Sequence, residues 1–361
     1  MPFPADYGGA IDVFYRIKAL HELGVMVHLH CFQYGRDRQQ ELDKYCASVK
    51  YYERHFGWKG FSFRLPYIVY SRRSKNLLKN LGMDDHPILL EGVHCTHFLL
   101  AHPFKNRKVF VRLHNIEHEY YYNLSRSNVS FFKRVYYFFE SRLLKNYEKK
   151  IPGKARFLGI TPGDVATADM ILGTGATLYF PAFVPFNKVS AKEGLGEYCL
   201  YHGNLLVAEN EKAAAWLCQY VFDRLQIPLI IAGKEPSEKL VRIIEKSRNC
   251  SLQSNLPEQK MNELIRNAQV NILPSFNSTG IKIKLLHALF NGRHCIVNKA
   301  SVHGTSLASL CWIADTPEEC IAEIKKLMDV PFIKMELEKR IEVLKEFDNR
   351  LNAEKLMQWI Q

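Results

Sequence analysis

The chain has 361 residues, 47% hydrophobic and 24% charged, which is the composition of a globular protein of about two domains. It contains no apolar run of about 18 residues and opens without a charged segment followed by an apolar one, so neither a membrane-spanning helix nor a secretory signal is predicted. The nine cysteines are scattered without a C-x-x-C pair, which favours reduced thiols in a cytosol over a disulfide framework or a zinc ribbon.

The net charge of +12 is concentrated in the first half of the chain. Residues 1–183 carry 26 Lys and Arg against 16 Asp and Glu, whereas residues 184–361 carry 23 against 21. A basic half favours an anionic partner such as phosphate groups, a nucleic acid or an acidic membrane surface. Because no recognised nucleic-acid module is present, we do not expect a nucleic-acid partner.

The first half of the chain alternates helical and apolar patterns. In chain order these predict a helix over 10–23, a strand over 25–31, a helix over 72–81, strands over 88–90 and 109–113, a helix over 131–149 and a strand over 157–160. The Gly8-Gly9 loop that opens the first helix should follow a strand in a doubly wound fold. The sequence supplies no such strand, so we expect a first N-terminal strand to be missing.

The second half shows the same alternation more clearly. The predicted elements are strands over 199–202, 228–233, 270–273 and 295–297 and helices over 211–225, 237–246, 258–268, 282–290 and 335–360. This rhythm predicts parallel sheets covered by helices on both faces.

The pattern divides into two doubly wound α/β domains facing a cleft. We predict an N-terminal domain over 1–183, a linker over 184–197, a C-terminal domain over 198–334, and a helical segment over 335–361 that crosses back to the first domain. Ligands of such folds bind at the carboxyl ends of the strands.

Two glycine-containing loops are candidates for binding phosphate. Gly8-Gly9 precedes the first helix, where backbone N–H groups and the helix dipole favour an anion, although a plain turn has the same composition. The loop 275–280 leads from a strand into a helix, and Thr279, Lys282 and Lys284 can face an anion there. Lysines in a first turn oppose the helix dipole, which makes a merely capped helix a less satisfactory explanation.

A histidine-rich motif follows the strand over 109–113. His114-Asn-Ile-Glu117-His118 matches the H-x-x-E-H pattern of zinc metalloproteases, but that chemistry needs both histidines on one helix. His114 instead directly follows a strand, so a histidine at the cleft is the favoured hypothesis and a structural one the alternative. Glu91 and His94 follow the strand over 88–90 and can reach the same place. His94, His97 and His102 lack a Cys or carboxylate that would complete a standard metal site.

The helix over 131–149 mixes aromatic and basic residues. An amphipathic helix lying in a membrane interface has this composition, and so does a core-facing helix whose basic side chains reach out to solvent. Both interpretations stay open at this point.

Several of these segments together resemble the glycosyltransferases of the GT-B type. The matching stretches are Pro2-Phe-Pro to Gly8-Gly9, His114 to Glu117, Tyr201-His-Gly-Asn204, and Pro274 to Gly292. They occur in family order from residue 2 to about 305, and the nearest group is glycosyltransferase family 4, the group 1 transferases. The resemblance implies two Rossmann-like domains and a retaining, metal-independent sugar transfer.

The resemblance also implies the substrates and their places. The donor would be a nucleotide diphosphate sugar, bound as a substrate without any cofactor, and the acceptor a glycan or a lipid-linked glycan. The transferred group would be a hexose, with mannose as one option. The enzyme would act in the cytoplasm, in peripheral contact with the inner face of the membrane, in envelope polysaccharide synthesis.

Most candidate site residues lie at the matched positions, whereas Glu91 and Lys234 directly follow predicted strands. The catalytic candidates are His114, Glu117 and Glu91, and no metal ligand is expected. The donor-binding candidates are Gly8, Gly9, Asn204, Lys234, Thr279, Gly280, Lys282, Lys284 and His287.

Two departures from the family pattern favour a second hypothesis. The family commonly carries paired glutamates eight residues apart, where this chain has Thr279 and His287. The Arg and Lys often found after the first C-domain strand are also missing, with Asn204 in that region. The alternative is therefore a GT-B-like binding or assembly partner that does not transfer sugar.

Overall fold

The computed structural model describes residues 1–33, 35–100, 104, 107–126, 130–173 and 175–361, and in them the chain forms two compact units. The first unit comprises Met1–Pro185 together with Phe347–Gln361, and the second comprises Phe186–Glu346. The predicted linker and the predicted C-terminal segment are therefore each divided between the units.

Residues 186–197 differ from a free linker because their backbone is hydrogen-bonded within the second unit. The Ser190 N–H donates to the carbonyl of Phe290, and Gly194 pairs with Phe332 in an antiparallel bridge. These bonds attach residues 186–197 to Phe290 and Phe332 of the second unit.

The described residues of the first unit form six α-helices before residue 185 and one after residue 347. The helices are α1 (Gly8–Glu22), α2 (Tyr67–Tyr70), α3 (Lys75–Leu81), α4 (Glu117–Arg126), α5 (Phe131–Glu148) and α6 (Pro162–Leu172). The strands are β1 (His28–Gln33), β2 (Ser48–Glu53), β3 (Ile88–Glu91), β4 (Val109–Leu113), β5 (Arg156–Gly159) and β6 (Leu178–Tyr179). Strands β3-β4-β5-β6 form one parallel sheet in that order, and β1 and β2 form a separate parallel pair.

The main sheet of the first unit is covered on both faces. Successive side chains of a strand point to opposite faces, so Val109 and Val111 join one cluster with α2, α3 and α5, whereas Phe110 joins a second cluster. In that second cluster Phe110 packs with α1 and with Ala353 and Leu356 near the end of the sequence. The sheet is thus buried on both sides, as a parallel sheet requires.

The second unit is one parallel six-stranded sheet with helices. Its strands are β7 (Cys199–Asn204), β8 (Leu229–Lys234), β9 (Cys250–Ser254), β10 (Val270–Ile272), β11 (His294–Val297) and β12 (Trp312–Ile313), in the order β12-β11-β10-β7-β8-β9. Its helices are α7 (Ala208–Trp216), α8 (Glu238–Lys246), α9 (Glu258–Asn267), α10 (Ile283–Asn291), α11 (Lys299–Val302), α12 (Pro317–Met328) and α13 (Lys334–Leu344).

The helix predicted over 335–360 is two helices that belong to different units. Helix α13 stays in the second unit, where the Arg340 guanidinium donates to the carbonyls of Gly292 and Arg293. Helix α14 (Asn349–Ile360) begins at an Asp348 cap and returns to the first unit, where Asn349 bonds the backbone of Val184. The predicted return to the first unit is thus made by α14.

Helix α5, with 18 residues, is the longest helix of the described chain. Among the described residues no helix combines the length and the apolar composition that spanning a bilayer would require.

Candidate active site

The candidate active site of the first unit is built on one face of β4. Phe110, Arg112 and His114 alternate along the chain, so all three side chains lie on the face covered by α1. Helix α1 presents Asp12 and Arg16 to this face, one helical turn apart. Glu91, the last residue of the neighbouring strand β3, completes the group.

Asp12 accepts four hydrogen bonds at the centre of this group. Its carboxylate accepts two hydrogen bonds from Arg112, at 2.7 and 2.9 Å, and one from the backbone N–H of Phe183 at 2.7 Å. Arg16 donates to it at 3.3 Å. All three charged side chains are at most 2% exposed, so the pairing of opposite charges is what allows them to be buried.

Arg112 also fixes the chain that follows β6. Its guanidinium donates to the carbonyls of Phe180 and Pro181, at 2.9 and 2.8 Å, and lies over the ring of Phe180. The bidentate pair with Asp12 thus joins α1, β4 and residues 180–183.

Glu91 connects this buried ion network to His114. One carboxylate oxygen of Glu91 accepts from Arg16, and the other lies 3.0 Å from Nε2 of His114. Burial alone would raise the pKa of Glu91, but Arg16 and His114 outweigh it and hold the pKa below the usual value. An ionised Glu91 accepts the Nε2 hydrogen, so Nδ1 of His114 is left as a hydrogen-bond acceptor.

The pKa of Asp12 is depressed further. Burial opposes ionisation, but Arg112 and Arg16 more than compensate and lower the pKa of Asp12 from 3.8 to about 2. The carboxylate is therefore charged at any physiological pH.

Gly8 and Gly9 form the first turn of α1, the turn before Asp12. Tyr7 occupies the N-cap, and its side chain makes no capping hydrogen bond to the described residues. The backbone N–H groups of the first turn therefore do not bond to the Tyr7 side chain. The two predicted phosphate-binding glycines therefore lie on the helix that also carries Asp12 and Arg16.

The remaining residues of the H-x-x-E-H motif point elsewhere. Glu117 begins α4, and His118 is buried against Glu148 through its Nδ1 atom. Burial, with a contribution from Glu148 and an opposing one from Arg72, raises the pKa of Glu117 to about 7. Because His114 faces Glu91 and His118 faces Glu148, the two histidines do not form the helical pair of a zinc protease.

Asp12, Glu91 and His114 are the one group in the described ranges whose ligand atoms approach a metal-binding arrangement, within 4.8 Å of one another. The donor set does not fit a cation, because Arg112 and Arg16 already occupy the carboxylates with two positive charges.

Two of the other histidines considered as metal ligands, His94 and His97, have packing roles. His94 lies against Gly92, whose φ of +84° and lack of a Cβ make room for the imidazole ring. His97 packs its ring near Tyr70. His102 lies outside the described residues.

In the second unit, the loop 275–282 is held by its own side chains. Ser275 Oγ donates to Glu209 at the start of α7, at 2.6 Å, and Thr279 donates through both N–H and Oγ1 to Asn277. Gly280 has a φ of +66°, which favours glycine. Lys282 is the N-cap of α10, and its ammonium donates to the carbonyl of Thr279.

Lys284 reaches the carboxyl end of β7 from the first turn of α10. Its Nζ donates to Asn210 at 2.8 Å and to the Tyr201 hydroxyl at 3.3 Å. Asn210 in turn donates from Nδ2 to the carbonyl of Asn204, the last residue of β7. Burial lowers the pKa of Lys284 to about 8, although Glu209 partly opposes this.

Asn204 and Lys234 lie side by side at the ends of β7 and β8. The Asn204 side chain accepts from the N–H of Leu206, which shapes the turn after β7, and Lys234 is exposed. Gly233 allows the close approach of the two strands, since a Cβ there would lie 2.2 Å from the carbonyl oxygen of Gly203.

His287 faces a different environment from Lys284, although both lie on α10. Its Nε2 bonds the Asn262 side chain, and its ring stacks on Phe186 at 4.8 Å between centroids. Its ring also meets His202 edge-on, and burial lowers the pKa of His287 to about 4. Lys284 and His287 therefore contact separate sets of partners.

Five further residues of these sites are not predicted from the sequence, namely Asp12, Arg16, Arg112, Asn210 and Glu209. Arg112 did leave a signal, because a charged residue inside an otherwise apolar buried strand requires a buried partner. Asp12 and Arg16 gave a second signal, because they form a charged pair four residues apart on a helix whose apolar side faces the core. Nothing in the sequence distinguishes Asn210 from other polar helix residues.

Comparison with known families finds a match in the second unit that includes the loop 275–282. The model of the family described as "Glycosyl transferases group 1" matches residues 196–329, which include β7 to β12 and the loop 275–282. Residues 196–329 are therefore similar to the group 1 glycosyltransferases.

A protein relative and several solved structures extend the likeness to the first unit. An uncharacterized 44.6 kDa protein in a cps region of Klebsiella pneumoniae is 24% identical over 322 residues, covering 84% of this chain and 82% of that protein. The sucrose-phosphate synthase of Thermosynechococcus elongatus is similar in structure, with a TM-score of 0.66, 12% identity and coverage of 98% of this chain and 92% of the other.

A second solved structure resembles the chain over nearly its full length. Anabaena HepE, in complex with UDP and glucose, has a TM-score of 0.61 at 11% identity, with 98% of this chain and 96% of the other covered. This chain spans only 58% of the length of TarM, which it resembles with a TM-score of 0.55. At these identities the likeness defines the fold, which is GT-B with two Rossmann-like domains.

Proposed function

We propose that the chain is a retaining, metal-independent glycosyltransferase that moves a hexose from a nucleotide diphosphate sugar to a glycan or lipid-linked acceptor. The observation that carries this proposal is the Glu91–His114 pair at the carboxyl ends of β3 and β4, held by Arg16 and Asp12. Nδ1 of His114 can accept a hydrogen bond from a sugar hydroxyl, because Nε2 is engaged by Glu91. Carboxyl ends of parallel strands are where such folds bind ligands.

Lys284 and the loop around Gly280 supply the donor half of the proposal. Lys284 places a half-buried ammonium at this loop, and the first-turn N–H groups of α10 add a partial positive charge for a diphosphate. Thr279, Gly280 and Lys282 form the wall of the same loop, and Asn204 is linked to Lys284 through Asn210. The ammonium groups of Lys282 and Lys284, together with the first-turn N–H groups of α10, can neutralise a diphosphate without a metal ion.

The acceptor class rests on the Klebsiella relative, whose name places it in a cps region and suggests polysaccharide biosynthesis. We propose that the enzyme acts in the cytoplasm, in peripheral contact with the inner face of the membrane. UDP is the first donor nucleotide to test because HepE was solved with UDP and glucose.

The proposal is tested by screening nucleotide sugars for a rise in melting temperature, and then following sugar release by NMR. A ligand at 100 times its Kd stabilises a protein by about 2.7 kcal/mol, which such a screen resolves. We expect one nucleotide sugar to bind, the first product anomer to keep the donor configuration, and EDTA to leave the rate unchanged. An inverted product or an EDTA-sensitive rate would contradict the retaining or the metal-independent assignment.

The alternative function, binding without transfer, is favoured by one observation. His287, at a position where the family resemblance expects a glutamate, is neutral and already bonded to Asn262. In that case nucleotide sugars would bind, but neither transfer nor donor hydrolysis would be measurable. The screen and the NMR assay together separate the two functions.

Replacing Lys284 by alanine is expected to weaken nucleotide diphosphate binding by about 10- to 100-fold, the range of one charged hydrogen bond. The pH dependence is a second signature. Lys284 is charged below pH 8 and loses its charge as the pH rises through about 8, so the wild-type Kd should increase there. The Lys284→Ala variant should lack that increase.

Titration calorimetry between pH 7 and 9 measures both effects. Lys239→Ala, an exposed lysine of the same unit on α8, is the matched control and should bind as the wild type does. Equal affinity for the Lys284 and Lys239 variants would place the phosphate elsewhere.

A further inference from the structure

Helix α5 exposes an unusual set of side chains in its first half. Residues 131–139 contribute no buried side chain to the described structure, although seven of the nine are Phe, Tyr or Val. Phe131, Phe132 and Phe139 are 72%, 84% and 61% exposed. Folded proteins seldom leave a contiguous apolar patch of this kind on their surface without a function.

A second segment of the first unit is exposed in the same way. Within the loop 56–63, Trp58 and Phe63 are 88% and 87% exposed, and Phe56 and Phe61 are exposed as well. The ring of Phe61 meets those of Trp58 and Phe63 edge-on, so the three form a cluster and are not isolated side chains.

The two segments adjoin one another. Glu140 of α5 accepts a hydrogen bond from the backbone N–H of Ile68, at 3.0 Å, which fixes α5 to the residues that follow the loop. Arg54 lies over the rings of both Phe56, in the loop, and Tyr67, the residue before Ile68. We call the exposed aromatic side chains of 56–63 and 131–139, with the basic side chains among them, the aromatic–basic surface.

Charge on this surface has one sign. Residues 56–64 contain Lys59 and Arg64, both exposed, and no Asp or Glu. Residues 131–150 contain six Lys and Arg, and their two acidic residues, Glu140 and Glu148, are both buried at 3% exposure. Lys133 and Arg134 are exposed between the phenylalanines.

We propose that the aromatic–basic surface docks on an anionic lipid bilayer. Aromatic rings prefer the headgroup region of a membrane, and interleaved Lys and Arg are attracted to its negative lipids. A second copy of the chain is a poor occupant, because a two-fold dimer would bring the same bases face to face. This inference deepens the proposed function. It rests on that function in one respect only, which is that docking would bring a membrane-held acceptor within reach of the enzyme.

Vesicle sedimentation tests the proposal. The full chain is mixed with vesicles of phosphatidylcholine alone, or of equal parts phosphatidylcholine and phosphatidylglycerol. We expect binding to the anionic vesicles that weakens with salt, and quenching of Trp58 fluorescence by brominated lipid. Equal or absent binding to the two vesicle types would overturn the proposal.

Substitutions at exposed positions locate the surface without disturbing the core. We expect the double variants Phe132→Ser/Phe139→Ser and Trp58→Ser/Phe63→Ser each to bind anionic vesicles about tenfold or more weakly, since each removes two rings from the interface. Lys133→Ala should weaken binding about fivefold. Met170→Ser, on α6 and 78% exposed, is the matched control and should bind like the wild type.

Other outcomes are equally decisive. If the phenylalanine variants bind vesicles as the wild type does, or change only the mass measured by analytical ultracentrifugation, the surface serves a different contact and the proposal fails. Donor hydrolysis in vesicle-free buffer should be the same in all these variants. Vesicle binding without any transferase activity would sink the proposed sugar transfer alone. Activity without vesicle binding would sink this inference and the proposed membrane contact, but not the proposed sugar transfer.

Discussion

His114→Ala is expected to lower turnover by about 100-fold or more, while the nucleotide Kd and the melting temperature change little. The reason is the position of the imidazole, which follows β4 and offers Nδ1 while Nε2 is held by Glu91 at 3.0 Å. Its side chain is 19% exposed, so its loss leaves no large buried cavity. Steady-state kinetics, calorimetry and a melting curve measure the three quantities on one preparation.

Two further variants make this result specific. Glu91→Gln removes the charge that fixes the His114 tautomer, so turnover should fall and its pH profile should shift, with the KM for donor nearly unchanged. His28→Ala, at an exposed histidine of β1, should leave turnover intact. Wild-type turnover in His114→Ala would remove this histidine from the reaction.

Asp12→Asn is expected to lower the stability of the first unit by about 3–5 kcal/mol, the usual cost of breaking a buried ion pair from one side. Asparagine keeps the shape of the side chain but leaves Arg112, at 0% exposure, without its counter-charge. Hydrogen exchange of α1, β4 and residues 180–183 measures the effect within the unit that contains them. Glu41→Gln, which breaks an exposed pair with Lys44 in the same unit, is the control and should leave exchange unaltered.

Acid provides an independent check on the same pair. The folded-state pKa of Asp12 is about 2, below the usual 3.8, so its ionised form stabilises the fold above pH 3.8. That stabilisation disappears as the pH falls from 3.8 to about 2. The stability difference between the wild type and Asp12→Asn should therefore shrink across this interval, and a constant difference would show that charge is not its cause.

Local pattern was enough to predict the parts of the fold that repeat along the chain. The alternation of apolar strands and helices gave β3, β4, β7, β8 and β10, and it placed His114 at a strand end. It did not give β9, whose Cys-Ser-Leu-Gln-Ser sequence has little apolar character, or β2, which is rich in tyrosine and charge. The helix predicted over 211–225 ends at Trp216, where the hydrogen bonding widens to a π-type turn.

The site depended on contacts that a single sequence does not encode locally. Asp12 and Arg112 are 100 positions apart, and their pairing follows from the packing of α1 on β4. Trp58 and Phe132 are residue types usually found in protein cores, so the sequence alone does not show that they are exposed. Composition shows how apolar a segment is but not which residues cover it. The family resemblance assigned no role to Glu91, whereas the position of Glu91 at the end of β3 indicated one.

The return of α14 to the first unit has a consequence for how the protein is made. The 161 residues of Phe186–Glu346 leave the ribosome after the first unit and before α14, which takes roughly 8–30 s at about 5–20 residues per second. During that interval Leu20 and Phe110 lack the cover that Ala353 and Leu356 later provide. A newly made chain therefore presents an open apolar face for seconds, which is the kind of surface that chaperones bind, and the first unit closes only when the second has already been synthesised.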